Sequence, residues 1–361
     1  MKDNGTNREI DRRTFVKGAA LATGAIAAGA LAGCASGAPA NSGATSSSAS
    51  ADSSSSTGQQ AKTRAWSSGA TVAGEGVPKV YFTPDVSPAG LVAIYEAIGR
   101  AAHGNVAVKV STGEPGGHNF LQPELISDLV KTVDGTIVEC NTVNWGGRRG
   151  DTQEHMKVAE EHGFTAIAAV DIMDAEGETV LPVADGRHLD VDYVGKGFMD
   201  YDYVIDLAHF KGHGQAGFGG VIKNASIGIA SARGKSYIHS GGTQLTDFGS
   251  PSQEIFLESL AEATSAVADH MGEDIIYIDV MNNLSVDCDC DSHPAAPSMA
   301  DIGILGSTDP VALDRACVDL VYAAEDGGDL VERMESRNGT HVLDYAEQIG
   351  LGSQAYELVE I

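Results

Sequence analysis

The chain has 361 residues, of which 42% are hydrophobic, with 50 Asp and Glu against 23 Lys and Arg and a formal net charge of −27. An acid excess of this size excludes a phosphate-backbone partner, which needs a basic footprint, so no nucleic acid is expected. Five cysteines in so long a chain exclude a disulfide-stapled scaffold.

In chain order, residues 1–33 read as a targeting segment. Asp11-Arg12-Arg13-Thr14-Phe15-Val16-Lys17 places two arginines ahead of an uncharged run of 16 residues, Gly18 to Gly33. That run is mostly Ala and Gly, too short and too weakly apolar for a spanning helix, and the arginine pair is of the twin-arginine export type. Leu31-Ala32-Gly33-Cys34 resembles a bacterial lipobox. The resemblance implies cleavage before Cys34, lipid on Cys34, and a mature protein anchored at the extracytoplasmic face of the cell membrane. Residues 34–77 are a disordered Ser-rich tether, with nine serines among the eighteen residues from Asn41 to Gly58 and no apolar periodicity. One α/β domain is expected over residues 78–361.

Within that domain the periodicity alternates. "KVYFTP" is a strand, "AGLVAIYEAIGR" a helix, "NVAVKVST" a strand, "PELISDLVKTV" a helix opened by proline, and "GTIVEC" a strand ending at Cys140. "DTQEHMKVAEEHGF" is a helix capped by Asp151 and stopped at Gly163, followed by strands "TAIAAVDI" and "ETVLPV". "YDYVIDLAHFKG" reads as one long buried strand. "SQEIFLESLAEATSAVADHMG" is a helix, "DIIYIDVMNN" and "DIGILGS" are strands, and "DPVALDRACVDLVYAA" is a helix capped by Asp309. Two short helices and a strand "AYELVEI" complete the pattern. The fold class is α/β: a mostly parallel sheet flanked by helices, with ligands expected beyond the carboxyl ends of strands.

Chemistry-bearing residues fall just after those strands. "HGQAGFGGVIKNASIG" runs from His213 to Gly228, and Gly217, Gly219 and Gly220 suggest an anion-binding nest ahead of Lys223. Neither the Walker nor the dinucleotide glycine spacing is present. His209, Lys211 and His213 alternate, so an extended strand points all three one way. Cys288-Asp289-Cys290-Asp291-Ser292-His293 joins thiols and imidazole. The two cysteines are too closely spaced for an easy bridge, and thiolate with imidazole suits zinc, nickel or an iron–sulfur cluster, with Cys140 and His293 completing a ligand set. Arg148 and Arg149 suit a carboxylate or phosphate clamp, with Glu114 facing the same cleft. Asp309 is read as a helix cap and Asp314 as surface charge.

Three stretches carry a family resemblance. Lys211 to His239, "CNTVNWGGRRGDTQEHMKVAEEHGF" and "CDCDSHP" with the later "ADIGILGSTDPVALDRA" resemble, in order, the domain-of-unknown-function 362 family, over roughly Val80 to Ala324. Its members are often described as iron–sulfur-centre proteins, yet this chain has no C-x-x-C-x-x-C run. The histidine, glycine run and lysine of the first stretch, with its later histidine, are more distantly similar to the nickel-pincer lactate racemase family. That similarity implies that Lys223 holds the cofactor amid Lys211, Gly219 and Gly220, that His239 ligates nickel, and that His213 is an acid/base. Arg148 stands where that family has a second catalytic histidine, with His155 the nearest replacement. The expected function is an exported lipoprotein whose domain binds a metal or cofactor, as a metal-assisted enzyme or redox protein acting on a small anionic substrate. The alternatives are a non-catalytic metal- or anion-binding lipoprotein and an iron–sulfur electron-transfer protein with a redox partner.

Overall fold

A computed structural model describes residues 74, 76–143 and 147–361. The export signal, Cys34 and nearly all of the tether lie outside the described residues. The elements run β1 (Lys79–Thr83), α1 (Pro88–Ile98), β2 (Val106–Lys109), α2 (Pro123–Thr132), β3 (Thr136–Glu139), α3 (Thr152–Glu161) and β4 (Val170–Ile172). A hairpin of β5 (Glu178–Pro182) and β6 (Val191–Gly195) precedes β7 (Tyr203–His209), and a second hairpin joins β8 (Lys211–His213) to β9 (Gly217–Gly219). Then come α4 (Val221–Ile229), α5 (Ala232–His239), α6 (Gln253–Met271), β10 (Ile275–Met281) and β11 (Gly303–Ser307). The described chain closes with α7 (Pro310–Ala323), α8 (Gly328–Ser336), α9 (His341–Gln348) and β12 (Glu357–Glu360).

Eight strands form the main sheet in the order β12-β1-β11-β10-β7-β2-β3-β4. It is mostly parallel; only β11 runs against its neighbours β1 and β10. Alternation along β7 explains the layering. Tyr203, Ile205 and Leu207 join a core with α1 and α2, while Val204 and Ala208 join a core with α4, α6 and α7. Helix starts follow local chemistry: the Asp151 side chain accepts the Gln153 and Glu154 N–H groups, and Asp309 accepts those of Val311 and Ala312. Among the described residues no helix is long and apolar enough to cross a membrane.

Three expectations need correction. The run from Tyr201 to Gly212 is not one strand. It breaks at Phe210, whose N–H still donates to Val280 O (3.0 Å), and β8 turns off to pair with β9. "TAIAAVDI" yields strand only at Val170–Ile172, because left-handed Gly163 (φ 86°) leads into a single helical turn that buries Phe164. The glycine-rich stretch, expected to form an anion-binding nest, holds β9 and most of α4.

Candidate functional site

The carboxyl ends of parallel strands β2, β3 and β7 open onto one cavity of about 400 Å³, closed by α4, α5 and the loop after β10. In a strongly acidic chain its lining is cationic. Lys109, Lys211, Lys223, Lys235 and Arg149 face it, against the carboxylates of Glu114, Glu139 and Asp289.

Helix α4 presents Lys223, Asn224, Ile227 and Gly228 to this space and buries Ile222, Ala225, Ser226 and Ile229. Its first N–H groups do not form an anion nest. They are taken by Asp314, whose carboxylate accepts from Val221 N (2.9 Å) and Ile222 N (3.1 Å). Asp314 is therefore a buried cap rather than surface charge, and a Cβ at Gly220 would lie 2.2 Å from its Oδ1. Gly228 clears the Lys109 ammonium in the same way, since a Cβ there would lie 2.5 Å from Nζ. Lys109 donates to Val110 O (2.7 Å) and Asn224 Oδ1 (3.0 Å), and burial pushes its amine down to about 8. Lys235 donates to Ala230 O (2.6 Å). Lys223 Nζ makes no hydrogen bond or ion pair among the described residues; burial, then the nearby Lys211 and Lys109, push it down to about 7.

Two histidines on the cavity hold opposite tautomers. His239 Nδ1 donates to Lys235 O (2.7 Å), which leaves the Nε2 lone pair open. Its ring stacks on Phe248 and Phe256 at 3.7 and 4.9 Å, and burial drives it down to about 3, so it is neutral throughout the physiological range. His213 Nδ1 instead accepts the N–H groups of Gln215 (3.2 Å) and Ala216 (2.9 Å). A backbone N–H can only donate, so the His213 proton is on Nε2. Burial and then Lys223 hold this ring well below the usual histidine range. His209 is an anchor, bound by Asp289 at Nδ1 (3.1 Å) and donating to Asn282 O from Nε2 (2.6 Å).

The cysteine cluster differs from its expected form. Cys288 and Cys290, with Cα atoms 5.3 Å apart, are bonded to each other, which corrects their reading as free ligands. Their sulfurs and a His213 ring nitrogen all lie within 4.8 Å of one another, a group that could hold a metal only once the bond is reduced. Cys140 lines the cavity but is not part of that group: its thiol donates to Ile229 O (3.2 Å), and burial pushes it up to about 12. His293 is exposed beside Ser292 and also stays apart. A cluster ligated by Cys140, Cys288 and Cys290 does not fit these donors. Asp289, between the bonded cysteines, is clamped by Lys211 Nζ (2.5 Å) and His209; burial would raise its carboxyl, and contact with these two side chains holds it below its usual range instead.

The arginine pair divides. Arg148 turns outward to Glu154 (3.2 Å) and Glu161 (2.7 Å), because the acids of α3 face it, and it does not line the cavity. Arg149 is buried against Glu139 and Glu114. His155 is no substitute base: it is fully buried off the cavity, donating from Nδ1 to Asn141 Oδ1 (3.2 Å) with Nε2 between Arg149 and Glu139. It braces the Arg149–Glu139 pair. Burial alone would raise the Glu139 carboxyl, and Arg149 with His155 holds it well below the usual range.

Sequence reasoning missed Lys109, Glu139, Lys235 and Asp289. The available signal was a charge within or at the end of an apolar strand, as in "VAVK" and "TIVE".

These observations define an α/β protein with a cation-lined cavity at the carboxyl ends of its parallel strands. Residues 106–319 match the family model described as Domain of unknown function (DUF362), and the chain belongs to that family. No curated protein matches it. The lactate racemase apoprotein from Thermoanaerobacterium thermosaccharolyticum is similar with a TM-score of 0.33 and 15% identity, over 55% of this chain and 50% of its own. A Thermotoga maritima protein is similar with a TM-score of 0.37 and 11% identity, over 72% of this chain and 58% of its own. The chain thus spans 50% and 58% of the lengths of these two structures.

Proposed function

We propose that the cavity binds a small, multiply anionic organic ligand, substrate or cofactor, between Lys223 and His239. The observation that carries this reading is the buried Lys223 amine, which faces the cation-lined cavity with no carboxylate partner among the described residues. A buried, unpaired cation is costly unless a bound anion compensates it. Arg149 and Lys235 supply further positive charge on the same walls.

A metal-bearing organic cofactor of the pincer kind fits this donor set. It needs an amine and an imidazole nitrogen, and Lys223 Nζ and His239 Nε2 are both open on the cavity. When bound, such a group supplies a redox-capable metal centre beside the substrate. The protein's own residues set the rest of the chemistry. His213 presents a proton at Nε2, so it starts as a donor to an anionic oxygen and not as a base. With Arg148 outside and His155 enclosed, neither residue gives a symmetric two-base racemisation its second base among the described residues. We further propose, from the arginine pair and lipobox alone, that the protein works outside the cell membrane, tethered through Cys34.

Calorimetric titration with oxalate and inorganic phosphate tests the binding reading. Binding is expected at pH 6, weakening as Lys223 loses its proton above pH 7, and Lys223→Gln lowers affinity about tenfold. Equal affinity for Lys223→Gln and the parent protein would refute it. For the cofactor, nickel analysis of protein made in a host that produces the pincer should find metal, lost in His239→Ala.

A further inference from the structure

The disulfide at the cavity rim is not explained by stability. Its ends are only 2 positions apart in sequence, so it closes a loop too short to constrain the unfolded chain appreciably. Nor does it shield reactive sulfur, since Cys288 is buried while Cys290 is exposed. We propose that Cys288 and Cys290 form a dithiol–disulfide couple that exchanges with a dithiol substrate or partner, an activity separate from ligand binding in the cavity.

The geometry supplies each part of such an exchange. An incoming thiolate attacks the exposed Cys290 Sγ, forming a mixed disulfide and breaking the bond to Cys288. The Cys288 sulfur, which leaves with the electron pair, accepts the Cys290 N–H at 3.3 Å and takes up a proton. The second thiol of the partner, as its thiolate, then attacks its own sulfur in the mixed disulfide. Cys290 is released as a thiolate facing His213 Nε2 at 3.8 Å and then takes up the second of the two protons given up by the partner dithiol. In sum, the protein disulfide gains two electrons and two protons while the partner dithiol becomes a disulfide. A better-stabilised leaving thiolate departs faster, and His213 is held as the N–H donor this needs because the Gln215 and Ala216 N–H groups occupy its Nδ1. That same tautomer disfavours His213 as a metal ligand, which would need the Nε2 lone pair.

The backbone around the two sulfurs is built to persist after reduction. Asp289 is pinned by Lys211 and His209, and its carbonyl accepts the Glu114 N–H at 2.8 Å. Arg333 donates to Val286 O at 2.6 Å and to Asp287. The reduced cysteines therefore stay adjacent and ready to re-form the bond.

Alkylation with peptide mapping in graded dithiothreitol redox buffers tests this on the intact, folded chain. Reduction should make Cys290 alkylatable and reoxidation before alkylation should abolish that labelling, while buried Cys288, Cys140 and Cys317 stay unlabelled until the protein is denatured. Cys288→Ser should leave Cys290 reactive, whereas Cys290→Ser should leave Cys288 protected. His213→Ala should slow reduction by about tenfold at pH 7, and His213→Gln, which keeps an N–H donor, should restore much of the rate. Folding of each variant is checked by circular dichroism, and Cys288→Ser versus Cys290→Ser remains decisive if His213→Ala misfolds. A bond that resists reduction until the protein unfolds overturns the proposal. So does a reduced form that captures stoichiometric zinc and no longer reoxidises. Either outcome leaves the oxalate and phosphate titration to be judged alone.

Discussion

Helix α4 meets two buried clusters of opposite sign, and they are built on opposite principles. On its cavity face, Lys109, Lys223 and Lys235 surround an open space. On its core side, Asp206, Asp279 and Asp314 lie packed with no such space, Asp279 beside Asp314 and Asp206 accepting from Asn224. Asp206 and Asp279 solve burial by keeping protons, since desolvation raises both well above the carboxylate range, while Asp314, lifted by desolvation to about 6, is met by the first N–H groups of α4. The cations have room instead: Lys109 and Lys235 donate to oxygens of the fold, and burial lowers the amines of Lys109 and Lys223. Asp314 finds its partners within the folded chain, in the Val221 and Ile222 N–H groups, whereas the Lys223 amine has none among the described residues.

The largest effect should come from breaking the completed side. Asp314→Ala strands the first N–H groups of α4 and should lower stability by about 3 kcal/mol in urea unfolding at pH 7. A loss near zero would mean that α4 is held by its apolar face alone.

A smaller effect sharpens the contrast in pH. Folded Asp279 keeps a proton that the unfolded side chain releases near pH 4, so the native state binds the extra proton over a window extending upward from there. Stability therefore falls as pH rises through that window, and Asp279→Asn should remove about 1.4 kcal/mol per pH unit of that slope. Unfolding curves from pH 5 to 8 would show it.

Lys223 predicts the opposite sign and the smallest change. Its folded amine loses the proton near 7 while the unfolded one keeps it to about 10.4, so its contribution to stability rises with pH between them. Lys223→Met should stabilise the ligand-free protein by about 1 kcal/mol at pH 7, with the gain shrinking toward pH 10. A destabilised Lys223→Met would show that the amine is already compensated within the fold.

Much of this was legible in the residues. The first half of the sheet, its proline and aspartate helix starts, and the convergence of strand ends on one cleft follow from periodicity and capping. The second hairpin and α4 do not, because the glycines between residues 213 and 228 suggest an anion-binding nest and mask the apolar spacing of a helix. Gly220 and Gly228 are helical or capping positions that make room for Asp314 and Lys109, partners 94 and 119 positions away in sequence. The core pattern of Ile222, Ala225, Ser226 and Ile229 was present beneath them. For the site, it is the family resemblance, carried by residues 211–239, that joins Lys223 to His239. The tautomers of His213 and His239 depend on carbonyl and N–H groups that only a folded backbone brings into reach. The short spacing of Cys288 and Cys290 argued against a bond that this backbone permits.

The arrangement of the main sheet bears on how the protein is made. Its central strands β2, β7 and β10 are neighbours drawn from residues 106, 203 and 275 onward, and β1 is flanked by β11 and by β12 near the carboxyl end. Pairings this distant impose long loop closures, which slow folding relative to chains with local contacts. β1 finds neither neighbour until residues 303 onward have been synthesised, so a ribosome-bound chain exposes an unpaired strand edge while more than 200 intervening residues are added. A holding chaperone during translation, rather than folding domain by domain, suits such a polypeptide.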